Sequence, residues 1–445
     1  MKIIVNNIHS NLETSDIKLK KVLEKKYTRK ITGYRYSRQH KQGGWDGSKK
    51  FFSSKTGKFG SGLLSYIIED LNYIGRDYEI EDLRSEVDTN DIKIEGIEYR
   101  DYQTALIREA LSQKGCIINA PTGAGKTIVL AGILKALEDC TGVIFFTKKQ
   151  LLVQTYKFLK EHGFDVGIVF GDGYDLKPIT LCTVQSLYKI VDTHLTESDF
   201  IIFDEVHEFS KGKFTTKVIK SFPSASYRIG MTATVPKDPI AKLNLITGLG
   251  PVIDETSISE LIEQGFLTPP VIQIMKAPKV ELQPDFDYRS VYEECITENE
   301  KRNELIQEIV EKVSEKPSKT LILVKDLKHA QKLHDMLPGS YKLEGKDSLE
   351  QREKIVNEFK SKKSSIIIGT TIFQTGIDIP EITHLINARG LKSEIATIQA
   401  LGRALRTHKS KQQVYIYDFM DDAPYLTQHS KHRIRAYKSL GFEVN

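Results

Sequence analysis

The chain reads as an α/β protein: two tandem parallel-sheet domains preceded by a small α+β domain. Three observations predict this. From about residue 99 onward, short β-branched and aromatic runs alternate with helix-like segments, and the alternation restarts in the second half. The first 88 residues lack that rhythm and are dense in lysine, glycine and aromatic residues.

In the first series CIIN, GVIFFT, ITLCTV, DFIIFDE and YRIGMTAT are strands of 4–8 residues bounded by turn residues. Apolar on both faces and separated by helical stretches, they predict a parallel sheet covered on both sides. KTLILV, SSIIIGT, ITHLINA and QVYIYDF repeat the pattern. The join falls near Leu267–Pro270, where the helical SISELIEQGF meets Pro269 and Pro270, which cannot continue a helix. The expected domains are 1–88, 89–268 and 269–445, with an extended crossover running to about Asp287. In the first, MKIIV opens as a strand, while SDIKLKKVLEKKY and GLLSYIIEDLNYIG have helical spacing. Between the two helices lies an expected exposed basic hairpin or loop.

At 445 residues the chain suits two or three domains, and 40% hydrophobic with 28% charged residues is globular composition. No apolar run reaches the ~20 residues of a membrane helix. The start, MKIIVNNIHSNLE, lacks an apolar stretch behind a basic one, so no secretory signal or membrane association is expected. Cys116, Cys140, Cys182 and Cys295 are scattered, which argues for a reducing compartment and against a zinc or iron–sulfur site. The net charge of +5 is concentrated: fourteen lysines and arginines between Lys18 and Lys58 face only Glu24 and Asp46. Such a footprint suits a phosphate-backbone partner or a solvated lysine-rich face.

The chemistry is carried by APTGAGKT at Ala120–Thr127, between strand CIIN and the apolar helix IVLAGILKAL. Ala120, Pro121, Thr122, Gly123, Ala124 and Gly125 form a loop whose glycines let backbone amides converge on phosphate oxygens. Lys126 supplies a point charge to the β- and γ-phosphates and Thr127 a hydroxyl for Mg²⁺. DEVH at Asp204–His207 puts two carboxylates at the C-terminal end of a buried strand, where such sheets bind ligands. Asp204 suits Mg²⁺ coordination through water, and Glu205 suits activation of an attacking water. ATP and Mg²⁺ are therefore the expected ligands. QALGRALR places Arg403 and Arg406 one helical turn apart on one face, as a pair able to reach a γ-phosphate. Gln103 in YRDYQ offers a side-chain amide to an adenine edge, or is a surface glutamine of a helix.

Taken in order, these segments resemble the superfamily 2 helicases of DExH type from about Tyr99 to the C-terminus. YRDYQ, APTGAGKT, FFTKKQLLVQ, TVQSL, DEVH and TAT match the first lobe of that family, and TLILVKDLKHA, GTTIFQTGIDIP and QALGRALR the second. The resemblance implies two RecA-like lobes and ATP-driven movement along nucleic acid. It implies that His207, Thr232 and Thr234 couple hydrolysis to lobe movement, and that Gly376 and Asp378 link the nucleotide to the strand grip. Thr147, Gln154, Thr183, Gln185 and Thr370 or Thr371 would then lie along a strand's phosphates, although short polar side chains also suit loop capping.

GYRYSRQHKQGGWDGSKKFF is similar to a segment of the UvsW-type phage recombination helicases. That likeness implies remodelling of branched or forked DNA, single- and double-stranded, by 3′-to-5′ translocation. It further implies a monomer in the bacterial host cytoplasm, with recombination or single-strand-binding proteins as partners. Arg35, Arg38, Lys41, Lys49 and Lys50 would hold duplex phosphates, while Trp45, Tyr34 or Tyr36 stack where pairing ends. Trp45 is equally compatible with a turn that has its own small core. Rival readings are a double-stranded-DNA translocase that separates no strands, an RNA helicase, and a clamp with a vestigial ATPase.

Overall fold

The computed structural model describes residues 1–445 except 211–213, 255, 283–285 and 371–378, with the side chains of 214–216 and 349 also left aside. Two compact units are present, Met1–Ala120 with Gly125–Glu255, and Thr256–Asn445 with Pro121–Ala124.

The larger sheet of the first unit has eight strands. Their order is Gly173–Asp175, Val166–Phe170, Ile179–Thr183, Gly142–Phe146, Phe200–Phe203, Tyr227–Thr232, Gly115–Asn119 and Val252–Ile253. All neighbours are parallel except the pair Gly173–Asp175 and Val166–Phe170. Every residue of Gly142–Phe146, Phe200–Phe203 and Tyr227–Thr232 is buried, which is why these segments read as unbroken apolar runs rather than alternating ones. The helix Lys126–Ala136 buries seven of its eleven residues, so its sequence is apolar nearly all round.

The N-terminal residues form a second sheet, ordered Lys58–Gly60, His9–Glu13, Lys2–Val5 and Glu79–Asp82. In MKIIV, Ile3 and Val5 point inward and are fully buried, the period-two signature of a strand. Both expected helices form. Ile17–Lys26 buries Leu19 and Leu23, four residues apart, and starts where the Asp16 carboxylate accepts from the Leu19 N–H at 2.9 Å. Leu64–Tyr73 buries Ile67 and Leu71. The basic segment between them is held by an antiparallel ribbon of Thr28–Lys30 with Ser48–Lys50. The strand Glu79–Asp82 has no sequence signature. It is mostly exposed and joins the sheet by pairing parallel with Lys2–Val5.

The second unit has one parallel sheet ordered Pro270–Lys276, Val414–Met420, His384–Asn387, Lys319–Leu323, Ser365–Gly369 and Tyr341–Leu343. The segment expected as a crossover after Leu267 is thus in part an edge strand. Pro270 is tolerated because a first residue on an edge needs no ladder donor. The sheet carries a buried polar network unforeseen in QVYIYDF. Arg433 Nε donates to both Asp418 carboxylate oxygens at 3.0 Å, and Tyr437 Oη and Asn387 Nδ2 donate to Asp418 Oδ2 at 2.7 and 2.9 Å. Arg302 Nε donates to Asp421 Oδ1 at 3.0 Å, and both arginines are almost wholly buried. These contacts join the helices Leu426–Ser439 and Glu300–Ser314 to the strand Val414–Met420.

Removing one partner strands a buried charge, so Asp418→Ala is expected to destabilise the chain by about 3–5 kcal/mol in urea unfolding. His329 gives a pH dependence. It is fully buried with Nε2 2.9 Å from Asn303 Oδ1, and burial, then Arg302 and Lys332, push its pKa from 6.5 down to about 3. Below pH 6.5 the unfolded state takes up a proton that the folded state refuses, so stability falls as pH drops toward 3. The expected slope from this residue is at most about 1.4 kcal/mol per pH unit. His329→Gln should flatten it in denaturant titrations across that range.

Candidate functional site

Gly115–Asn119 lies between Tyr227–Thr232 and Val252–Ile253, and this fixes where the phosphate loop begins. The Ala120 N–H donates to the Thr232 carbonyl at 2.9 Å, continuing the ladder one residue past the strand. Gly123 and Gly125 have φ of 94° and 78°, the left-handed region that side chains disfavour. A Cβ on Gly125 would also lie 2.5 Å from Gln103 Nε2. The helix Lys126–Ala136 begins at Gly125 with no side chain capping it, which leaves its first amides for an anion. Lys126 Nζ rests on the Ala120 carbonyl at 3.2 Å.

The acid pair follows Phe200–Phe203, the strand beside Tyr227–Thr232, and so leaves the sheet at the same edge. The Asp204 N–H donates to Phe145 O at 3.0 Å. Glu205 has φ of 49°, a left-handed backbone in a non-glycine residue and a mark of local strain. Burial raises the Asp204 carboxyl well above the carboxylate range. The neighbouring Glu205 charge adds to this, and Lys126 pulls the other way. Two crowded carboxylates beside one ammonium form a donor set short of positive charge, and this fits Mg²⁺ with a triphosphate in the loop.

Thr232 ties the two segments together. Its hydroxyl donates to Thr234 O at 3.0 Å, and its oxygen accepts from the Thr234 N–H at 3.1 Å. That leaves the oxygen to accept from His207 Nδ1 at 2.9 Å, and the same nitrogen lies 3.3 Å from Glu205 Oε2. A chain of contacts therefore runs from the Ala120 backbone through Thr232 and His207 to Glu205. Sequence reasoning missed the ion pair between Lys148 and Glu208 at 2.8 Å, which ties the end of the strand Gly142–Phe146 to the turn after DEVH. Neither residue carries a signal beyond its charge.

Gln103 is buried, not a surface residue. Its Oε1 accepts from the Arg100 N–H at 3.0 Å, closing the start of the helix Asp101–Gln113, and its amide nitrogen lies beneath Gly125. Thr147 and Gln185 come together at the ends of Gly142–Phe146 and Ile179–Thr183, with Gln185 Nε2 donating to Thr147 O at 3.4 Å. Gln154 is exposed on the helix Lys149–Glu161. Thr183 is buried with its hydroxyl 2.9 Å from that of Ser186, a capping arrangement. Thr370 is buried after Ser365–Gly369, while Thr371, Gly376 and Asp378 lie outside the described residues.

The helix Glu394–Ala404 includes Arg403 and ends before Arg406; the fully buried Leu405 between them keeps a right-handed helical backbone, and the Arg406 N–H donates to the Arg403 carbonyl at 3.3 Å. Arg406 also forms a bridge with Leu267.

In the basic segment between the two strands of the ribbon, Arg35, Arg38 and Lys41 are exposed. Lys50 pairs with Glu24 at 3.0 Å, and Lys49 is half-buried with its amine on Asn244 Oδ1, burial lowering its pKa. Trp45 is half-buried, its Nε1–H donating to Ser48 O at 2.8 Å and its carbonyl 3.0 Å from His40 Nδ1. Tyr34 packs edge-on to His40 at 4.7 Å and covers Gly47. Tyr36 is 85% exposed, which makes it the aromatic of this group open to a stacking partner.

Residues 96–237 match the family described as type III restriction enzyme, res subunit, and residues 300–408 match the helicase conserved C-terminal domain. The chain is 25% identical over 428 residues to the ATP-dependent DNA helicase UvsW of Enterobacteria phage T4, covering 88% of this chain and 84% of that protein. It is 26% identical over 363 residues to the DNA 3′-5′ translocase XPB2 of Sulfurisphaera tokodaii, covering 72% and 81%. Among solved structures, a fragment of an HsdR subunit of a type I restriction enzyme from Vibrio vulnificus YJ016 shares the fold. Its TM-score is 0.55 at 18% identity, over 74% of this chain and 66% of that one. With these matches in the order of its own segments, the chain carries the two domains of an ATP-dependent helicase and resembles UvsW and the superfamily 2 helicases.

Proposed function

We propose that this helicase is an ATP-dependent DNA motor that remodels forks, D-loops, R-loops and Holliday junctions by 3′-to-5′ translocation and branch migration, in phage recombination, repair and replication. The observation that carries the motor reading is the contact chain from the phosphate loop through Thr232 and His207 to Glu205, in which binding, hydrolysis and relay groups share one sheet edge. The branched-DNA reading rests on the likeness to UvsW over 88% of the chain and on the exposed basic ribbon.

In this mechanism Lys126 and the amides at Gly125 hold the phosphates of ATP, while Thr127 and Asp204 would hold Mg²⁺, an ion that would supply positive charge to the transferring phosphoryl group. Glu205 orients and deprotonates the attacking water, and His207 relays the state of Glu205 to Thr232. Arg403 and Arg406 stabilise the charge that develops on the γ-phosphate, and Gln103 helps to read the adenine. Thr147, Gln154, Gln185 and Thr370 grip a strand by its backbone, so translocation is largely blind to sequence. Arg35, Arg38 and Lys41 hold duplex phosphates ahead of the motor, with Tyr36 placed to stack where pairing ends. We take the protein to act as a monomer in the host cytoplasm, beside recombination or single-strand-binding proteins.

The second reading, a double-stranded-DNA translocase without strand separation, is favoured by the XPB2 likeness and by the match to a restriction-enzyme subunit. A strand-displacement and branch-migration panel across forks, four-way junctions and blunt duplexes decides between them. Displaced strands on forks are expected. ATP hydrolysis with no product on any branched substrate would sink the helicase reading, as would Lys126→Ala remodelling forks as fast as the wild type. For the ribbon, the triple change Arg35→Ala, Arg38→Ala and Lys41→Ala is expected to keep DNA-independent ATP hydrolysis while weakening junction binding. Each lost phosphate contact lowers the salt slope of binding by about 0.9. An unchanged slope in salt-dependent binding would remove the ribbon from the DNA interface.

A further inference from the structure

Within the first unit, a cavity of about 170 Å³ lies where the N-terminal sheet meets the starting ends of Gly115–Asn119 and Tyr227–Thr232. Those ends lie opposite the edge that carries the phosphate loop. Its lining includes Asn7, Gly62, Arg84, Ser226, Arg228 and Gly250.

Arg228 is 4% exposed. Its Nε and one terminal nitrogen both donate to a single acceptor, Ala225 O, at 3.1 and 2.9 Å, and no carboxylate pairs with it among the described residues. The other arginine of the cavity, Arg84, is matched by Asp82 at 2.6–3.1 Å. A guanidinium does not shed its proton at physiological pH, so a buried one is stable only with a counter-charge or a full set of acceptors. Burial and then the Arg84 charge push Arg228 from its usual 12.5 down to about 9, the direction of a cation without its anion.

Two further groups are unsatisfied in this cavity. Among the described residues, Ser226 Oγ is buried without a hydrogen-bond partner, and so is Asn7 Oδ1. The Asn7 amide orientation is fixed because its Nδ2 donates to Pro223 O and Ser224 O at 3.1 and 3.0 Å. The walls are backbone. A Cβ on Gly62 would lie 1.9 Å from Ile246 O, and one on Gly250 would lie 1.9 Å from Gly115 O. At about 30 Å³ per water, the space holds roughly five waters or one small tetrahedral oxyanion.

We propose that this cavity binds inorganic phosphate. Arg228 supplies the charge, the Ser226 hydroxyl donates to one phosphate oxygen, and Asn7 Oδ1 accepts from the P–OH of the monohydrogen ion. Sulfate has no such proton at neutral pH, so the site discriminates against it. The ligand bridges the N-terminal sheet to the first parallel sheet, both in one unit, and the assignment does not depend on the motor reading.

The test uses the full chain carrying Lys126→Ala, which removes the phosphate loop as a competing site. Isothermal titration with inorganic phosphate at constant ionic strength is expected to show one site per chain, with sulfate weaker. Arg228→Met, close in volume, should weaken phosphate by about tenfold or more, and Ser226→Ala by about threefold. Should Arg228→Met fail to fold, Ser226→Ala and the phosphate-to-sulfate ratio carry the decision. Phosphate binding untouched by either substitution, or equal affinity for sulfate, would overturn the proposal. So would a 5′-phosphorylated oligonucleotide that outcompetes free phosphate while its unphosphorylated twin does not, since the ligand would then be a DNA end.

Discussion

Thr232 is a short polar residue at the end of a fully buried strand, and the chemistry of the first unit depends on its position. The strand Tyr227–Thr232 lies between the strand that feeds the phosphate loop and the strand that feeds the acid pair. Its carbonyl fixes the first loop residue at Ala120, and its hydroxyl takes the ring nitrogen of His207. Parallel strands put their carboxyl ends on the same side of the sheet, so three separate segments of sequence arrive together there. A buried donor or acceptor left unpaired there costs about 1–3 kcal/mol, which holds the arrangement to one geometry.

Strain and electrostatics point the same way. Glu205 sits in the left-handed region, and burial beside Glu205 keeps Asp204 eager for a proton or a cation. Crowded carboxylates of this kind are relieved when positive charge arrives, which is the property the proposed function requires of the site. The second unit applies the same physics to a structural end. Asp418, Arg433, Tyr437 and Asn387 bond to one another in the buried layer, beside the pair of Arg302 with Asp421. Such networks add little net stability, but they reject alternative packings in which any member would be stranded.

The basic N-terminal segment divides into scaffold and surface. Trp45, Tyr34 and Gly47 are spent on holding the turn, and Lys49 and Lys50 are partly engaged by Asn244 and Glu24. Arg35, Tyr36, Arg38 and Lys41 remain at the surface. Sequence shows which residue types are present in this loop but not which of them the loop consumes for its own stability. Gln103 illustrates the same limit. Its polarity suits a surface position, yet it is buried beneath Gly125, because capping its own helix satisfies its oxygen.

The sequence by itself determined the two parallel sheets, the strand–loop–helix around Ala120–Thr127 and the place of the acid pair. Burial on both faces and the need for φ above zero at Gly123 and Gly125 leave their marks on residue choice over a few neighbouring positions. Tertiary structure alone decided what lies far apart in the chain. It placed the exposed strand Glu79–Asp82, brought Thr232 to Ala120 and His207, and buried Arg228 with no carboxylate beside it among the described residues. It also ended the regular helix at Ala404, so that Arg403 lies within it and Arg406 just beyond, in a bridge with Leu267. Each of these depends on which surface a residue meets after folding, and local periodicity carries no record of a contact made across a hundred residues.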